Sequence, residues 1–256
     1  MPAGLQRGLI VLLAGAAVVA VVALVRTARA RRSPVPVLVL LGALLCVVYE
    51  PIGDRMVLAY YPEHGQITWA TLFGRGIPVF IGLMYVAYIG PFVLLFDSLR
   101  QRGFTVRSWW ALWAGSAATI VLLELAVLHI GAAWVYHGPQ RTVIGDLPVW
   151  TPFTYVAFLF AIAAGVHTLA TRLPARRRWL IIPAVPTLLA AAHLATSLPG
   201  AAALYHSTDP TVILAGALGS VALSALLTWA LGLVFVPRPA NAPAPALRAA
   251  PGRSTV

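Results

Sequence analysis

Two glutamates, Glu50 and Glu124, lie at the end of or within long apolar runs of the sequence. An ionisable group at membrane depth costs on the order of 3 kcal/mol on insertion scales, so it usually has a partner, faces a cavity or takes part in chemistry. Positioned carboxyls can give and take protons, which is general acid–base catalysis. The alternative for Glu124 is a protonated side chain that bonds a neighbouring hydroxyl and only joins helices.

Asp54 follows Glu50 by four residues, so both carboxyls share one face if the helix continues. Pro51 perturbs the preceding turn and predicts a broken helix end that presents both acids. Two carboxyls this close tend to share a proton, which would supply a general acid. The alternative is an ordinary helix end in which Asp54 pairs with Arg55 or Arg75.

Polar and aromatic residues near these acids are the candidate substrate contacts. Arg75 lies between two glycines and can clamp a carboxylate or carbonyl, or lie at the interface as a snorkelling arginine. Tyr85 and Tyr88 are three residues apart on one helix face and can line a cavity. His64 can assist proton transfer. The remaining candidates are Trp134, His137, Thr154 and Tyr155.

The composition predicts an integral membrane protein, because 60% of the residues are hydrophobic and only 10% are charged. Soluble domains average about 25% charged residues. Apolar runs of membrane-spanning length predict an all-α bundle of about seven transmembrane helices. Pro183 and Pro186 are expected to break the sixth. The predicted spans are residues 9–25, 35–49, 77–96, 109–135, 149–170, 179–198 and 211–236.

The arginines predict the orientation of these spans. All of them except Arg7, Arg55, Arg75 and Arg141 fall in the tail or the loops on one side. Such a side is normally cytoplasmic, which predicts a multi-pass protein of the cell membrane with the N-terminus outside and the C-terminus inside. The net charge of +11 therefore does not indicate nucleic-acid binding. Residues 1–236 form the predicted membrane domain, and the Pro- and Ala-rich residues 237–256 a disordered cytoplasmic tail.

Several function classes are excluded by missing residue types. Cys46 is the single cysteine, so the chain can form neither an intrachain disulfide nor a cysteine-based zinc or iron–sulfur site. No lysine is present, which rules out a retinal or pyridoxal Schiff base and a P-loop lysine. The histidines are scattered without metal-site spacing. We therefore predict no metal site and no cofactor.

Three short motifs resemble the AveC-like spirocyclase family. They are Tyr49-Glu-Pro51, Gly74-Arg-Gly-Ile-Pro78, and Glu124 followed by Trp134-Val-Tyr-His-Gly138. Members of this family are actinobacterial membrane proteins, some of which form spiroketals or dehydrate polyketides. The resemblance implies that Glu50 with Pro51, and Glu124, occupy the acidic positions of the family. A further acid expected near the fifth span is absent, and Thr154 is the nearest residue. The arrangement is also similar to fungal membrane-bound terpene cyclases.

Two function classes follow. The first is a membrane-embedded, cofactor-independent acid–base cyclase or isomerase for a lipophilic polyketide or isoprenoid substrate. Glu50 and Glu124 would transfer protons, Asp54 would tune Glu50, and Arg75 with the aromatic residues would hold the substrate. The second is a proton-coupled transporter, with Glu124 as its coupling site, or a lipid-binding accessory protein. The sequence shows no internal repeat of the kind common in transporters, which favours the first.

Overall fold

The computed structural model of the chain describes residues 3–62, 66–131, 133–140 and 143–237. Helices account for 78% of the protein, and the described ranges contain seven helical segments that are long and apolar enough to cross a membrane. The predicted class, an all-α bundle of about seven membrane-spanning helices, is therefore confirmed. The helices are α1 (Ala3–Ala30), α2 (Val35–Leu45), α3 (Glu50–Val57), α4 (Val79–Gln101), α5 (Val106–Gly131), α6 (Thr151–Arg172), α7 (Ile181–His206) and α8 (Pro210–Phe235).

Short strands cap one end of the bundle, which we call the strand end. Sequence patterns predicted only loops here. Three antiparallel pairs form, and the first joins the α3–α4 connection to the α5–α6 connection through Ala59 opposite Tyr136. The opposite end, which carries the arginine-rich turns, is called the arginine end. The strands are β1 (Ala59–Tyr60), β2 (Thr68–Leu72), β3 (Arg75–Pro78), β4 (Val135–Tyr136), β5 (Val143–Ile144) and β6 (Leu147–Pro148).

The second span is longer than predicted. Instead of ending at Tyr49, it passes through a 3₁₀ turn over Cys46–Tyr49 and continues as α3 to Val57. Pro51 lies in the first turn of α3, where its missing N–H removes no helical hydrogen bond. The helix therefore changes its winding just before Glu50 rather than breaking after it. As a result, Glu50 and Asp54 lie one helical turn apart and are both buried.

The predicted break in the sixth span is wrong, because α7 runs continuously through Pro186 and Pro199. Pro186 has no N–H, so the carbonyl of Ile182 has no helical partner. That carbonyl lies against Gly42 of α2, where a Cβ atom would come within 2.8 Å of it. α7 nevertheless continues as a helix across the bundle, and Gly42 lets α2 approach it closely at this point.

The helices do not all pack equally closely. α7 packs against α2, α6 and α8, and α1 packs along α4. α5 contacts mainly α6, although α4 precedes it directly in the chain. A gap therefore remains beside α5, between it and the α1–α4 pair.

Aromatic side chains close the arginine end of this gap. Trp109 at the start of α5 packs edge to face against Phe160, with ring centroids 4.9 Å apart, and parallel to Phe235 at 6.3 Å. Phe96 and Phe104 complete the cluster, and the indole N–H of Trp109 donates to a backbone carbonyl of α8. These five residues are called the aromatic plug.

Candidate functional site

A cavity of about 910 Å³ lies inside the bundle, between α1, α3, α4, α5, α6 and α7. Glu50 and Asp54 line it from α3, and Glu124 lines it from α5. Most of the remaining wall is aliphatic or aromatic. Carboxyl groups from two separate spans therefore share one largely apolar chamber, towards the strand end of the bundle.

Glu50 is held by two tyrosine hydroxyls. Tyr61, which follows β1, donates to Oε1, and Tyr85 of α4 donates to Oε2. Burial raises the pKa of the Tyr61 phenol well above its ordinary value, and the negative charges of Asp54 and Glu50 raise it further. Tyr61 therefore stays protonated and remains a hydrogen-bond donor over the physiological pH range.

Glu124 has a different set of partners. The Tyr136 hydroxyl donates to its Oε2 over 2.8 Å and lies 3.3 Å from the Tyr155 hydroxyl. Burial raises the pKa of the Tyr136 phenol, and the Glu124 charge adds to this effect. Oε1 of Glu124 accepts no hydrogen bond from the described part of the chain. This carboxyl thus keeps one oxygen available to a molecule in the cavity.

Asp54 pairs with Arg75, as the structural alternative for this residue predicted. Arg75 Nη1 lies 3.7 Å from Asp54 Oδ2 and donates to the Ala59 carbonyl over 2.7 Å. Arg75 is not among the residues that line the cavity. The guanidinium therefore joins α3 to β1 and β3, and its predicted role in holding a substrate stays a prediction.

His193 of α7 lines the cavity and was not among the predicted site residues. Its Nδ1 lies 2.9 Å from the Tyr49 hydroxyl, and its ring packs against Tyr155 and Phe158. Its Nε2 is covered and has no hydrogen-bond partner among the described residues. The sequence did not indicate that this residue of α7 faces the cavity that holds the acids.

The structure brings together most of the predicted site residues. Besides the three acids, Tyr85, Tyr88, Trp134 and Tyr155 line the cavity. Thr154 does not, because it is buried and its hydroxyl donates to the Thr151 carbonyl. His137 is exposed and packs against Tyr60, with ring centroids 5.6 Å apart. His64 lies outside the described residues.

Two site residues were missed from the sequence, Tyr61 and Tyr136. Neither was among the predicted site residues, although Tyr136 lies within the motif Trp134-Val-Tyr-His-Gly138. Each lies in a connection between helices that folds back over the strand end. Helical periodicity does not predict the position of residues in such connections. The contacts of these hydroxyls with the glutamates are therefore seen only in the structure.

Within the described ranges, no group of three or more His, Cys, Asp or Glu side chains is placed to hold a metal ion. No protein-family model matches the chain, and neither a curated protein nor a solved structure matches it. The resemblance to AveC-like spirocyclases therefore stays a prediction from short motifs. What the site can do must be argued from its own geometry.

Proposed function

We propose that the protein is a membrane-embedded acid–base cyclase or isomerase that acts on a lipophilic polyketide or isoprenoid substrate. The observation that carries this proposal is the shared cavity: Glu50 and Glu124, from different spans, both line it. Two proton-transfer groups that line one cavity can act on one molecule bound in it. Carboxyls that only joined helices would not need a chamber of about 910 Å³.

The hydrogen bonds suggest different roles for the two glutamates. Both oxygens of Glu50 accept from tyrosine hydroxyls, an arrangement that suits a carboxylate acting as a general base. Glu124 accepts from Tyr136 through Oε2 only, so Oε1 can carry a proton towards the substrate. In one turnover Glu124 would donate a proton to a carbonyl or alkene. Glu50 would remove one from a hydroxyl or carbon as the ring closes. That proton would return from Glu50 to Glu124 before the next turnover, so no external reactant would be consumed.

The walls would support this chemistry by excluding water. Phe80, Phe158 and Leu189 are buried residues of the cavity lining. A dry cavity strengthens electrostatic interactions and protects a cationic or enol intermediate from side reactions. General acid–base catalysis by a positioned group contributes about 10²–10⁴-fold to a rate. Two such groups in a dry cavity are sufficient for ketal exchange or cyclisation.

The orientation and location form part of the proposal. The arginine end would face the cytoplasm, since positively charged loops are retained there. The strand end, with the N-terminus and both glutamates, would then face the outside of the cell membrane. The catalytic chamber would lie beneath the outer surface, and the tail after Val236 would be cytoplasmic.

A comparison of substituted proteins tests the proposal. The full chain, reconstituted in lipid nanodiscs, is incubated with lipophilic extracts of the producing cells, and the products are analysed by mass spectrometry. An isomerase or cyclase converts a compound into one of equal mass, or of that mass less one water. We expect such conversions with the wild-type protein and their loss in Glu50→Gln and Glu124→Gln.

Asp209→Asn is the matched control for both variants. Asp209 is an exposed N-cap of α8, and an asparagine oxygen can still accept the hydrogen bond from the Thr211 N–H. Product formation should therefore persist in this variant. Equal product yields from the wild type and both glutamine variants would refute the proposal, provided that all the proteins elute as folded species.

A further inference from the structure

The cavity reaches the outer surface of the bundle between α1 and α5. Leu12 of α1 and Leu123 of α5 both line it, yet these residues are 68% and 60% exposed. Gly115 of α5 also lines it, and an added Cβ atom there would meet no atom within 4 Å. This side of a membrane-spanning bundle contacts lipid hydrocarbon, so the cavity opens sideways towards the bilayer.

The charged groups of the cavity lie at one end only, and Ser116 and Thr119 of α5 are further polar residues of its lining. Its lining follows α4 from Phe80 to Leu95, which is about 22 Å at 1.5 Å per residue. The carboxyls and their tyrosines lie in the half nearer the strand end. Beyond Tyr88 the wall along α4 and the first turns of α5 is apolar. This apolar section consists of Pro91, Phe92, Leu95, Ala111 and Leu112.

Side-chain contacts hold the segments together at both ends of the bundle. At the strand end, the Gln6 amide of α1 donates to Gln66 over 2.9 Å, and Gln66 donates to the Ala133 carbonyl over 3.1 Å. These bonds hold the start of α1 to both connections that form the strands. At the arginine end the aromatic plug packs below the apolar section. The side opening therefore gives a direct route from the bilayer to the carboxyls.

We propose that the gap between α1 and α5 is a lateral portal for a membrane-dissolved, single-chain amphiphile. This ligand has oxygen functions at one end and a long hydrocarbon chain, such as a polyprenyl or linear polyketide chain. Its oxygenated end lies at Glu50 and Glu124, and its chain lies along α4 towards Leu95. The inference rests on the proposed function, because the same cavity holds the reacting carboxyls, and it specifies the shape of the substrate and its route.

Photolabelling of the portal tests this inference. Full-length protein in phosphatidylcholine nanodiscs is irradiated with a palmitic acid that carries a diazirine, and the labelled peptides are mapped. We expect adducts on the cavity-facing residues of α4 from Tyr85 to Leu95 in the wild type. Gly115→Trp should fill the opening and abolish these adducts. Gly115→Leu, a smaller change at the same open position, should reduce them.

Gly15→Trp is the matched control. Gly15 is an exposed α1 glycine beside which an added Cβ would also meet no atom within 4 Å, and it does not line the cavity. Its labelling should equal that of the wild type. Equal α4 labelling in Gly115→Trp would overturn the inference, as would adducts confined to outward residues such as Val18 and Val19. Cross-linking of two copies across α1 and α5 would overturn it too, since a partner would then cover the gap.

The measurement separates the portal from the chemistry. Palmitic acid needs no turnover to be labelled, and a glutamine amide can still hydrogen-bond its carboxyl group. Glu50→Gln and Glu124→Gln should therefore keep the α4 adducts. If these variants keep the adducts and also form product as the wild type does, the portal is supported and the acid–base proposal is refuted. Loss of adducts in Gly115→Trp while conversion of an added substrate continues would show that the substrate takes another route, which overturns the portal as its path.

Discussion

At the scale of single residues, tyrosine hydroxyls determine what each glutamate can do. Glu50 accepts from two of them and Glu124 from one. A hydrogen bond to a charged group contributes about 1.5–3 kcal/mol, more than a bond between neutral groups. The difference of one donor would therefore be enough to give two otherwise similar buried carboxyls the separate roles that we propose for them.

The bond between Tyr85 and Glu50 should be measurable as a coupling energy. Tyr85→Phe removes the donor and should lower the free energy of unfolding by about 1.5–3 kcal/mol, because a buried carboxyl oxygen loses its partner. In a Glu50→Gln background the same substitution should cost clearly less. A double-mutant cycle on thermal unfolding in detergent provides the measurement. Equal costs in the two backgrounds would show that this bond does not stabilise the fold.

Tyr88→Phe is the control for this cycle. Tyr88 stacks on Tyr85 with ring centroids 6.0 Å apart, but its hydroxyl makes no hydrogen bond to Glu50 in the described structure. Its substitution should therefore show no coupling to Glu50→Gln.

The residues predicted from the sequence are those for which burial itself is informative. Glu50, Asp54 and Glu124 stand out because an acid in an apolar run is costly, and Tyr85 and Tyr88 because helical spacing puts them on one face. The role of Arg75 was harder to predict, because one arginine between two glycines can either hold a substrate or form an ion pair. The structure supports the ion pair with Asp54.

At the scale of elements, α2 and α7 pack closely because Gly42 of α2 has no side chain at the point where Pro186 of α7 has no N–H. Pro186 leaves the Ile182 carbonyl without a helical partner, and Gly42 lets α2 come close to that carbonyl. Small residues at such contacts are typical of helix packing in membranes. The prolines alone predicted a break in the helix. The structure shows that α7 continues through them, with α2 packed closely at the unpaired carbonyl.

Gly42→Ala should destabilise the protein through this contact. The new Cβ would lie 2.7 Å from the Val185 Cβ and 2.8 Å from the Ile182 oxygen, and neither atom is at the flexible end of a side chain. Overpacking of this kind costs about 1–3 kcal/mol. Gly15→Ala, beside which no atom lies within 4 Å, should be neutral or slightly stabilising. Melting temperatures in detergent would reveal the difference, and equal values would contradict it.

At the scale of the whole molecule, the number of spans follows from hydropathy, but the cavity does not. Hydropathy reports only how apolar a segment is. The chamber forms because α5 packs against α6 and stays apart from α4. The strands at one end of the bundle could not be predicted from the sequence either, because the pairing of β1 with β4 joins segments far apart in the chain. The seven spans could be predicted from the sequence, but the cavity between them could be found only in the folded structure.

The orientation can be tested by labelling introduced cysteines. Cys46 is buried, and a Cys46→Ala background removes it. Val143→Cys at the strand end should react with a membrane-impermeant maleimide in intact cells, whereas Ala175→Cys at the arginine end should react only after permeabilisation. Both positions are exposed, and neither substitution alters the arginine pattern. The reverse labelling pattern would place the carboxyls beneath the cytoplasmic surface instead.

The aromatic plug makes the cavity a dead end. A carrier must present its site alternately to the two sides of the membrane, and here that would require the stack of Trp109 on Phe235 and its contact with Phe160 to come apart in every cycle. A catalyst needs no such movement. Its product would leave by the path that the reactant used and would return to the leaflet that supplied it.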